Sequence, residues 1–298
     1  MNTKRHKHSS LGDNLLTVFV VVFMVVFVIF TLYPVLNTVA LSFNDGIDAV
    51  RGGIYLLPRK FATKNYTTVL GMQNLLIGAK ITVLRTIIGT LSSLLVNALV
   101  AFVISRKRFL FKSGVSLFWV ITMYVNGGLI PTFILFKNLG LTNSFNVYWI
   151  PGMVGAFNIL VLRTYMQGLP DSLEESAQLD GAGYMTIFAK ITSPLCKPVY
   201  ATVALFVAVG QWNSWFDAML YNRMKTEFTT LQYELMKLLS SVMQQSGSAE
   251  NAKNGTDAIT PLTIRASATV VTMLPIICLY PFLQRYFVTG LTIGGVKE

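Results

Sequence analysis

LEESAQLDGAGYMTIFAKITSPLCKP, residues 173–198, is a polar, helix-forming stretch within an unusually apolar chain. Apolar residues make up 53% of the 298 residues, and charged residues only 12%. This composition argues against a water-soluble globular protein. The role of the polar stretch therefore depends on which solvent surrounds the segments on either side of it.

Long runs without Asp, Glu, Lys or Arg indicate a membrane protein. Such runs occur at 14–44, 86–105, 113–136, 138–162, 198–216 and 266–284. A helix that crosses a bilayer needs about 20 mainly apolar residues, and an ionisable side chain at mid-membrane is costly. The first run is too long for the apolar region of a signal peptide, so we expect it to be retained. The runs predict an all-α integral membrane protein with six transmembrane helices, at about 14–43, 76–105, 113–136, 144–167, 198–220 and 265–285.

Basic residues in short loops set the expected orientation, because Lys and Arg near the spans are enriched on the cytoplasmic side. They cluster in the tail before the first span and in the short link 106–112. Six spans then leave both termini in the cytoplasm (N-in/C-in). The predicted organisation is a cytoplasmic tail 1–13, a six-span domain 14–288 with a cytoplasmic loop 168–197 and an outer loop 221–264, and a cytoplasmic tail 289–298.

The outer loop is expected to begin as a helix, because leucines recur at helical spacing at Leu231, Leu235, Leu238 and Leu239. A polar tip without periodicity, 246–256, follows and is predicted to be mobile. The net charge of +11 is explained by residues that flank the membrane. It does not indicate nucleic-acid binding, since no nucleic-acid motif accompanies it.

The polar stretch predicts two short helices. Asp171 or Ser172 can cap the first, with Glu174 or Glu175 reaching back in a capping box. This helix should end at Asp180-Gly181, because Gly readily adopts the left-handed conformation that follows a helix. The second should present one face of four residues and close at Pro194, the face being formed by Tyr184, Ile187, Phe188 and Ile191.

The stretch resembles the EAA loop of ABC importer permeases, whose pattern is E-A-A, three residues, Gly, nine residues, Ile, two residues, Pro. The matching positions are Glu175, Ala177, Gly181, Ile191 and Pro194. Ser176 and Ser193 depart from the pattern by small changes. Further likeness to the carbohydrate branch lies at Asp180, Ala182 and Phe188, and in QWNSWFDAMLY (211–221), TVLRTIIGTLSSLLVNALVAF (82–102) and QRYFVTGLTIGGVKE (284–298).

This resemblance implies a type I ABC importer permease fold of the maltose-G-like, polysaccharide-utilisation type. In that family the EAA loop, here called the coupling loop (168–197), docks in a cleft of a separate cytoplasmic ATPase. The chain itself has no phosphate-binding loop and no catalytic constellation, so we expect a non-enzymatic subunit without cofactor or metal, with ATP and Mg bound by the ATPase. The expected coupling residues are Glu174, Glu175, Ala177, Asp180, Gly181, Tyr184 and Phe188.

Polar and aromatic side chains within the spans are candidates for a sugar path. The densest cluster lies at the outer end of the fifth span, at Gln211, Trp212, Asn213, Trp215 and Asp217. Asn158, Tyr124 and Asn126 could face the same cavity. Alternatively, Trp212 and Trp215 are interfacial belt residues, and Asn158 is an interhelical hydrogen bonder.

Lys80 and Arg85 stand in or just above the outer half of the second span. Snorkelling explains Lys80. Arg85 is harder to explain, and a cationic entrance for uronate-bearing oligosaccharides is one hypothesis.

The resemblance implies a multi-pass protein of the bacterial cytoplasmic membrane, in contact with lipid. Its expected partners are a second permease subunit, two copies of the ATPase, an extracytoplasmic sugar-binding protein and an oligosaccharide. Three alternatives remain open: an ABC permease for a non-sugar solute, a secondary transporter and a membrane enzyme. If the protein were a secondary transporter, we would expect internal repeats, discontinuous helices or coupled-ion carboxylates at the midplane.

Overall fold

The computed structural model describes residues 11–245 and 259–293, with side chains for 12–240 and 259–278. The predicted mobile tip 246–256 therefore lies outside the described residues. Within them no β-strand forms, which confirms the predicted all-α class. The α-helices are α1 (Leu11–Ser42), α2 (Gly46–Val50), α3 (Lys64–Gly71), α4 (Gln73–Ser105), α5 (Lys112–Tyr124), α6 (Leu129–Asn138), α7 (Ala156–Gln167), α8 (Asp171–Leu179), α9 (Tyr184–Thr186), α10 (Ser193–Leu195), α11 (Lys197–Asn213), α12 (Phe216–Tyr221), α13 (Leu231–Gln245) and α14 (Pro261–Ile293).

Shorter elements connect these helices. A π-helical segment (Ile187–Thr192) joins α9 to α10, and 3-10 turns occur at Phe145–Tyr148, Pro151–Met153 and Thr226–Phe228. The helix predicted at the start of the outer loop is confirmed as α13, with Leu231 and Leu235 buried.

Two compact units make up the chain. Among the described residues, one comprises 11–69, 242–245 and 259–271, and the other comprises 70–241 and 272–293. Every candidate residue for coupling or for the sugar path belongs to the second unit. The site is therefore built within one unit.

Three helices are long and apolar enough to cross a bilayer unaided: Gly12–Ser42, Gln73–Ser105 and Pro261–Cys278. Three helix pairs meet the same criterion only together, and each is bent at a short break: Lys112–Tyr124 with Leu129–Asn138 by 114°, Phe145–Met153 with Ala156–Gln167 by 42°, and Tyr184–Leu195 with Lys197–Asn213 by 81°. The described residues thus contain three candidate spans, or up to six if each bent pair is one span.

The interval 113–136, predicted as one continuous span, is broken. α5 ends at Tyr124, and α6 begins at Leu129. Between them Gly128 has a φ of +86°, which Gly adopts at little cost. The side chain of Asn126 accepts a hydrogen bond from the Gly128 amide at 2.9 Å. The predicted spans 144–167 and 198–220 are interrupted as well, at 154–155 before α7 (the α7 break) and at 214–215 after α11 (the α11 break). A run without charges reports apolarity but not helix continuity, so it does not reveal these breaks.

One face of α4 is buried and consists of small and polar residues. A Cβ at Gly78 would lie 2.9 Å from the backbone nitrogen of Leu231, and one at Gly89 would lie 2.7 Å from Nε2 of Gln211. Glycine at these positions lets neighbouring segments approach the helix closely. We call this surface the polar face of α4; its members are Gly78, Thr82, Arg85, Gly89, Ser93 and Asn97.

The coupling loop packs on a hydrophobic core formed with α4, α7 and α11. Residues of the loop that enter this core include Ala177 and Ile187, with Phe188 packed at its edge. Completely or almost completely buried partners from the other helices are Ala101, Ile104, Ile159, Leu162, Met166 and Val203. The loop is consequently an integral part of the second unit.

In the first unit, Asn44 organises a compact cap at the end of α1. Its Nδ2 donates to Asp48 Oδ2 at 3.0 Å, and its Oδ1 accepts from the backbone amides of Arg59 and Lys60 at 2.8 and 2.9 Å. Arg59 Nε donates to both carboxylate oxygens of Asp48, at 3.0 and 2.9 Å. These contacts, above all the hydrogen bond from Arg59, hold the pKa of Asp48 below its ordinary value of 3.8.

This cap should lose stability in acid. A carboxyl whose pKa is lower in the folded state contributes stability above its unfolded pKa, and that contribution disappears as the pH falls through the folded pKa. We expect Asp48→Asn to be less stable than the parent at about pH 7 and to match it more closely at about pH 3. Thermal unfolding of the detergent-solubilised protein at both pH values measures this. If the difference in unfolding temperature between the two proteins were the same at both pH values, the stabilising role of the Asp48 carboxylate would be contradicted.

Candidate functional sites

The first helix of the coupling loop ends as predicted. α8 runs from Asp171 to Leu179, and Gly181 follows with a φ of +81°. The Gly181 amide donates to the Gln178 carbonyl at 3.0 Å, and the Ala182 amide donates to the Ala177 carbonyl at 2.9 Å. This pair of bonds is the Schellman arrangement. The predicted corner at Asp180-Gly181 is confirmed.

The predicted capping box at the start of α8 is wrong. The residue before the helix is Pro170, and no side chain caps the first turn. Glu174 instead pairs with Arg106, and Asp171 pairs with Lys107. Guanidinium and ammonium groups form stronger hydrogen bonds with a carboxylate than a neutral amide does. The hydrogen bond from Lys107 to Asp171 also raises the pKa of Lys107 above its ordinary value of 10.5.

The second helix ends one residue after the predicted stop at Pro194. It continues through α10 to Leu195, and the chain turns by 81° before α11. Proline lacks an amide hydrogen, and its ring clashes with the carbonyl four residues earlier in a regular α-helix. The π-helical segment that precedes Pro194 widens the helix. This widening explains how the proline is accommodated.

The four residues predicted to share one face are divided between the core and the surface. Ile187 is buried, and Phe188 and Ile191 pack against the core. Tyr184 is 49% exposed. A cluster of exposed side chains therefore surrounds the Gly181 corner and comprises Glu175, Leu179, Asp180, Tyr184 and Met185.

Gln211 and Arg85 belong to an internal hydrogen-bond network. Arg85 Nε donates to Gln211 Oε1 at 2.9 Å, while its two Nη atoms donate to the carboxylate of Asp217 at 3.1 and 2.5 Å. Gln211 Nε2 donates to the Tyr148 carbonyl at 3.0 Å, and the guanidinium lies 4.4 Å from the centre of the Tyr148 ring. The Arg85 side chain is only 2% exposed. Its charge is neutralised inside the protein.

The two tryptophans of the predicted cluster have different environments. Trp212 is buried and donates its indole hydrogen to the Thr272 carbonyl at 3.1 Å. Trp215 is half-buried and packs edge-on against Phe216. Asn213, the last residue of α11, is exposed. At the end of α11, Asn213 is therefore the exposed amide side chain, whereas Gln211 is half-buried.

Asn97 was missed by the sequence analysis, although it shapes the region around Asn158. Its Nδ2 donates to the Met153 carbonyl at 3.2 Å, and its Oδ1 accepts from the Gly155 amide at 2.9 Å. These backbone groups flank the break before α7. Asn158, half-buried in the first turn of α7, lies against Gly155. The sequence does contain a signal for Asn97, because polar or small residues recur every four positions from Arg85 through Gly89 and Ser93 to Asn97.

Tyr124 and Asn126 lie at the break between α5 and α6. Tyr124 is 83% exposed, and the Asn126 side chain caps Gly128 locally. That they face the same cavity as Asn158 stays a prediction. In the part of the chain that the structure describes, no three His, Cys, Asp or Glu side chains form a group that could hold a metal ion.

Known proteins with the same architecture and related sequences identify the family. No family model matches the chain. The polygalacturonan/rhamnogalacturonan transport system permease protein YtcP of Bacillus subtilis (strain 168) is 32% identical over 278 residues, covering 92% of this chain and 96% of the relative.

Two solved structures are also similar. One comes from a bacterial ABC transporter that imports the acidic polysaccharide alginate: its chain has a TM-score of 0.85 and 28% identity, covering 94% of this chain and 99% of that one. A chain of the alginate ABC transporter in complex with an alginate pentasaccharide-bound periplasmic protein has a TM-score of 0.60 and 14% identity, covering 91% and 93%; this likeness concerns the fold alone. The chain described here belongs to the carbohydrate ABC transporter permeases, and is an integral protein of the bacterial cytoplasmic membrane.

Proposed function

We propose that this permease passes acidic oligosaccharides across the membrane and is driven by a separate ATPase that docks on the coupling loop. The observation that carries the proposal is the exposed cluster around the Gly181 corner, which projects from a loop whose other face is fixed in the core. Fixing one face makes the loop stiff enough to transmit a displacement. The apolar and acidic side chains of the other face suit insertion into a complementary cleft.

The remaining architecture is proposed from the family. Six spans result if each bent pair contributes one crossing, with α11 alone crossing in the third pair because the residues before it belong to the cytoplasmic coupling loop. The basic tail and link then place both termini inside. The partners are a second, non-identical permease subunit, two ATPase copies that bind ATP and Mg, and an extracytoplasmic binding protein. The alginate importer that resembles this fold was captured with a sugar-bound periplasmic protein, which supports the last of these.

Acidic cargo is supported by the similar transporters, which handle polygalacturonan and alginate, because both polysaccharides carry carboxylates. The contacts of Arg85 do not support the cationic-entrance hypothesis, because Asp217 already neutralises its charge. Lys80, one and a half turns before it, is exposed, and no ion pair engages it within the described residues. We therefore assign the cationic contribution at the outer end of α4 to Lys80.

The broken helices are a feature that a secondary transporter would share. Asp217 is the carboxylate beside one break, and it is occupied by Arg85. An ion-coupled site would need an acidic group free to titrate or bind a cation. The paired Asp217 and the family relationship both favour ATP-driven import.

Substitution of Gly181 tests the proposed role of the coupling loop. A residue other than glycine is strained at a φ of +81°, and proline cannot adopt it. We expect Gly181→Pro to abolish uptake and the stimulation of ATPase activity in proteoliposomes, while the complex is still recovered. Gly183→Ala is the matched control, because Gly183 has a φ of −76° and no atom within 4 Å of an added Cβ. Wild-type uptake by Gly181→Pro would refute the coupling role.

Cargo identity is tested with the reconstituted complex and its binding protein. ATPase stimulation and uptake are measured with trigalacturonate, an alginate pentasaccharide and a neutral galactotriose. We expect the acidic sugars to be preferred, and Lys80→Gln to reduce that preference more at low salt than at high salt. Equal response to the neutral sugar would exclude an acidic preference.

The two amides beside the α11 break should behave differently. Gln211→Ala removes the partner of a buried arginine and should lower the stability of the complex by about 1–3 kcal/mol. Asn213→Ala removes an exposed amide and should reduce uptake per recovered complex instead. Uptake normalised to the complex purified from membranes separates the two effects. Loss of complex in both variants would show that Asn213 is structural.

A further inference from the structure

We propose that Arg106 is the positioning residue that joins the coupling loop to α4, so that a movement of the loop displaces this helix as a unit. The inference rests on the proposed ATPase-driven function and names the contact through which the drive enters the membrane domain.

Arg106 binds the first helix of the loop and the end of α4 at once. Its Nη1 donates to Glu174 Oε2, and the other carboxylate oxygen of Glu174 accepts from Gln178 Nε2 at 3.1 Å. Its Nε and Nη2 donate to Ser105 Oγ at 3.1 and 2.9 Å. Both ends of the guanidinium are therefore held, one by α8 and the other by α4.

The second half of the loop reaches the same point through aromatic contacts. The Arg106 guanidinium lies 4.5 Å from the centre of the Phe102 ring. Phe102 in turn packs against Phe188 of the π-helical segment, with ring centres 5.2 Å apart. A cation over an aromatic face is attracted to it. Arg106 thus connects to both helices of the loop within one turn of α4.

Burial distinguishes this ion pair from its neighbour. The side chains of Arg106 and Glu174 are 14% and 22% exposed, whereas those of Lys107 and Asp171 are 77% and 52% exposed. Exposed ion pairs contribute little because water and salt screen them. Of the two ion pairs, we therefore assign the polar connection between the loop and α4 to the Arg106 pair.

α4 can carry the displacement to the far side of the membrane. The helix has 33 residues, which corresponds to about 50 Å at 1.5 Å per residue. Along its polar face it holds Gln211 beside the α11 break and the backbone around the α7 break. Movement of α4 would therefore shift Asn158 and Asn213, the residues proposed to meet the cargo.

Charge reversal with rescue tests the contact. We expect Arg106→Glu, and separately Glu174→Arg, to lower trigalacturonate-stimulated ATPase activity and uptake on the order of tenfold per recovered complex. Combining the two substitutions should restore part of the stimulation, because the ion pair is re-formed with opposite signs while the contact of the cation with the Phe102 ring is lost. Lys107→Glu with Asp171→Lys is the matched control, and each single substitution there should change stimulation less than about twofold.

Two results would overturn the inference. One is stimulation by the Arg106 and Glu174 single variants equal to that of the parent; the other is a double variant no better than either single variant. If these variants retain stimulation while Gly181→Pro abolishes it, the coupling function stands and the role of Arg106 fails. If Gly181→Pro also retains stimulation, the proposed function itself fails.

Discussion

Backbone amides and carbonyls that leave a helix within a membrane must find partners in the protein, because lipid offers none. The polar face of α4 supplies such partners at successive positions along the helix. Thr82 accepts from the amide of Leu231, and Asn97 bonds the chain on both sides of the α7 break. Arg85 and Gln211 act together beside the α11 break. Two helix breaks and the first residue of α13 thus depend on one helix.

Patterns that act locally could be predicted from the sequence. The corner after α8 follows from a glycine that alone accepts a positive φ cheaply, and α13 follows from its leucine spacing. Long charge-free runs predicted apolar helices, and helical segments lie in each of those intervals. They could not reveal the breaks at 125–128 and 214–215, because a broken helix whose backbone is satisfied by a neighbour remains as apolar as a continuous one.

Long-range partners were the principal gap. Arg85 and Asp217 are 132 residues apart, and Arg106 and Glu174 are 68 apart. A single sequence does not indicate which of its distant residues come into contact in the folded protein. From the sequence, a cationic entrance was therefore one hypothesis for Arg85, and Glu174 or Glu175 was a candidate to cap its own helix. In both cases a distant group of opposite charge determined the contact, since it offered a stronger interaction than water or a neutral amide.

The pairing of Arg85 with Asp217 has an electrical consequence. A single charge that moves across a membrane potential of about 100 mV exchanges about 2.3 kcal/mol with the field. Arginine and aspartate held within hydrogen-bonding distance travel together as a neutral dipole. Translation of this pair therefore moves no net gating charge. The proposed acidic cargo, by contrast, carries charge on which the membrane voltage acts.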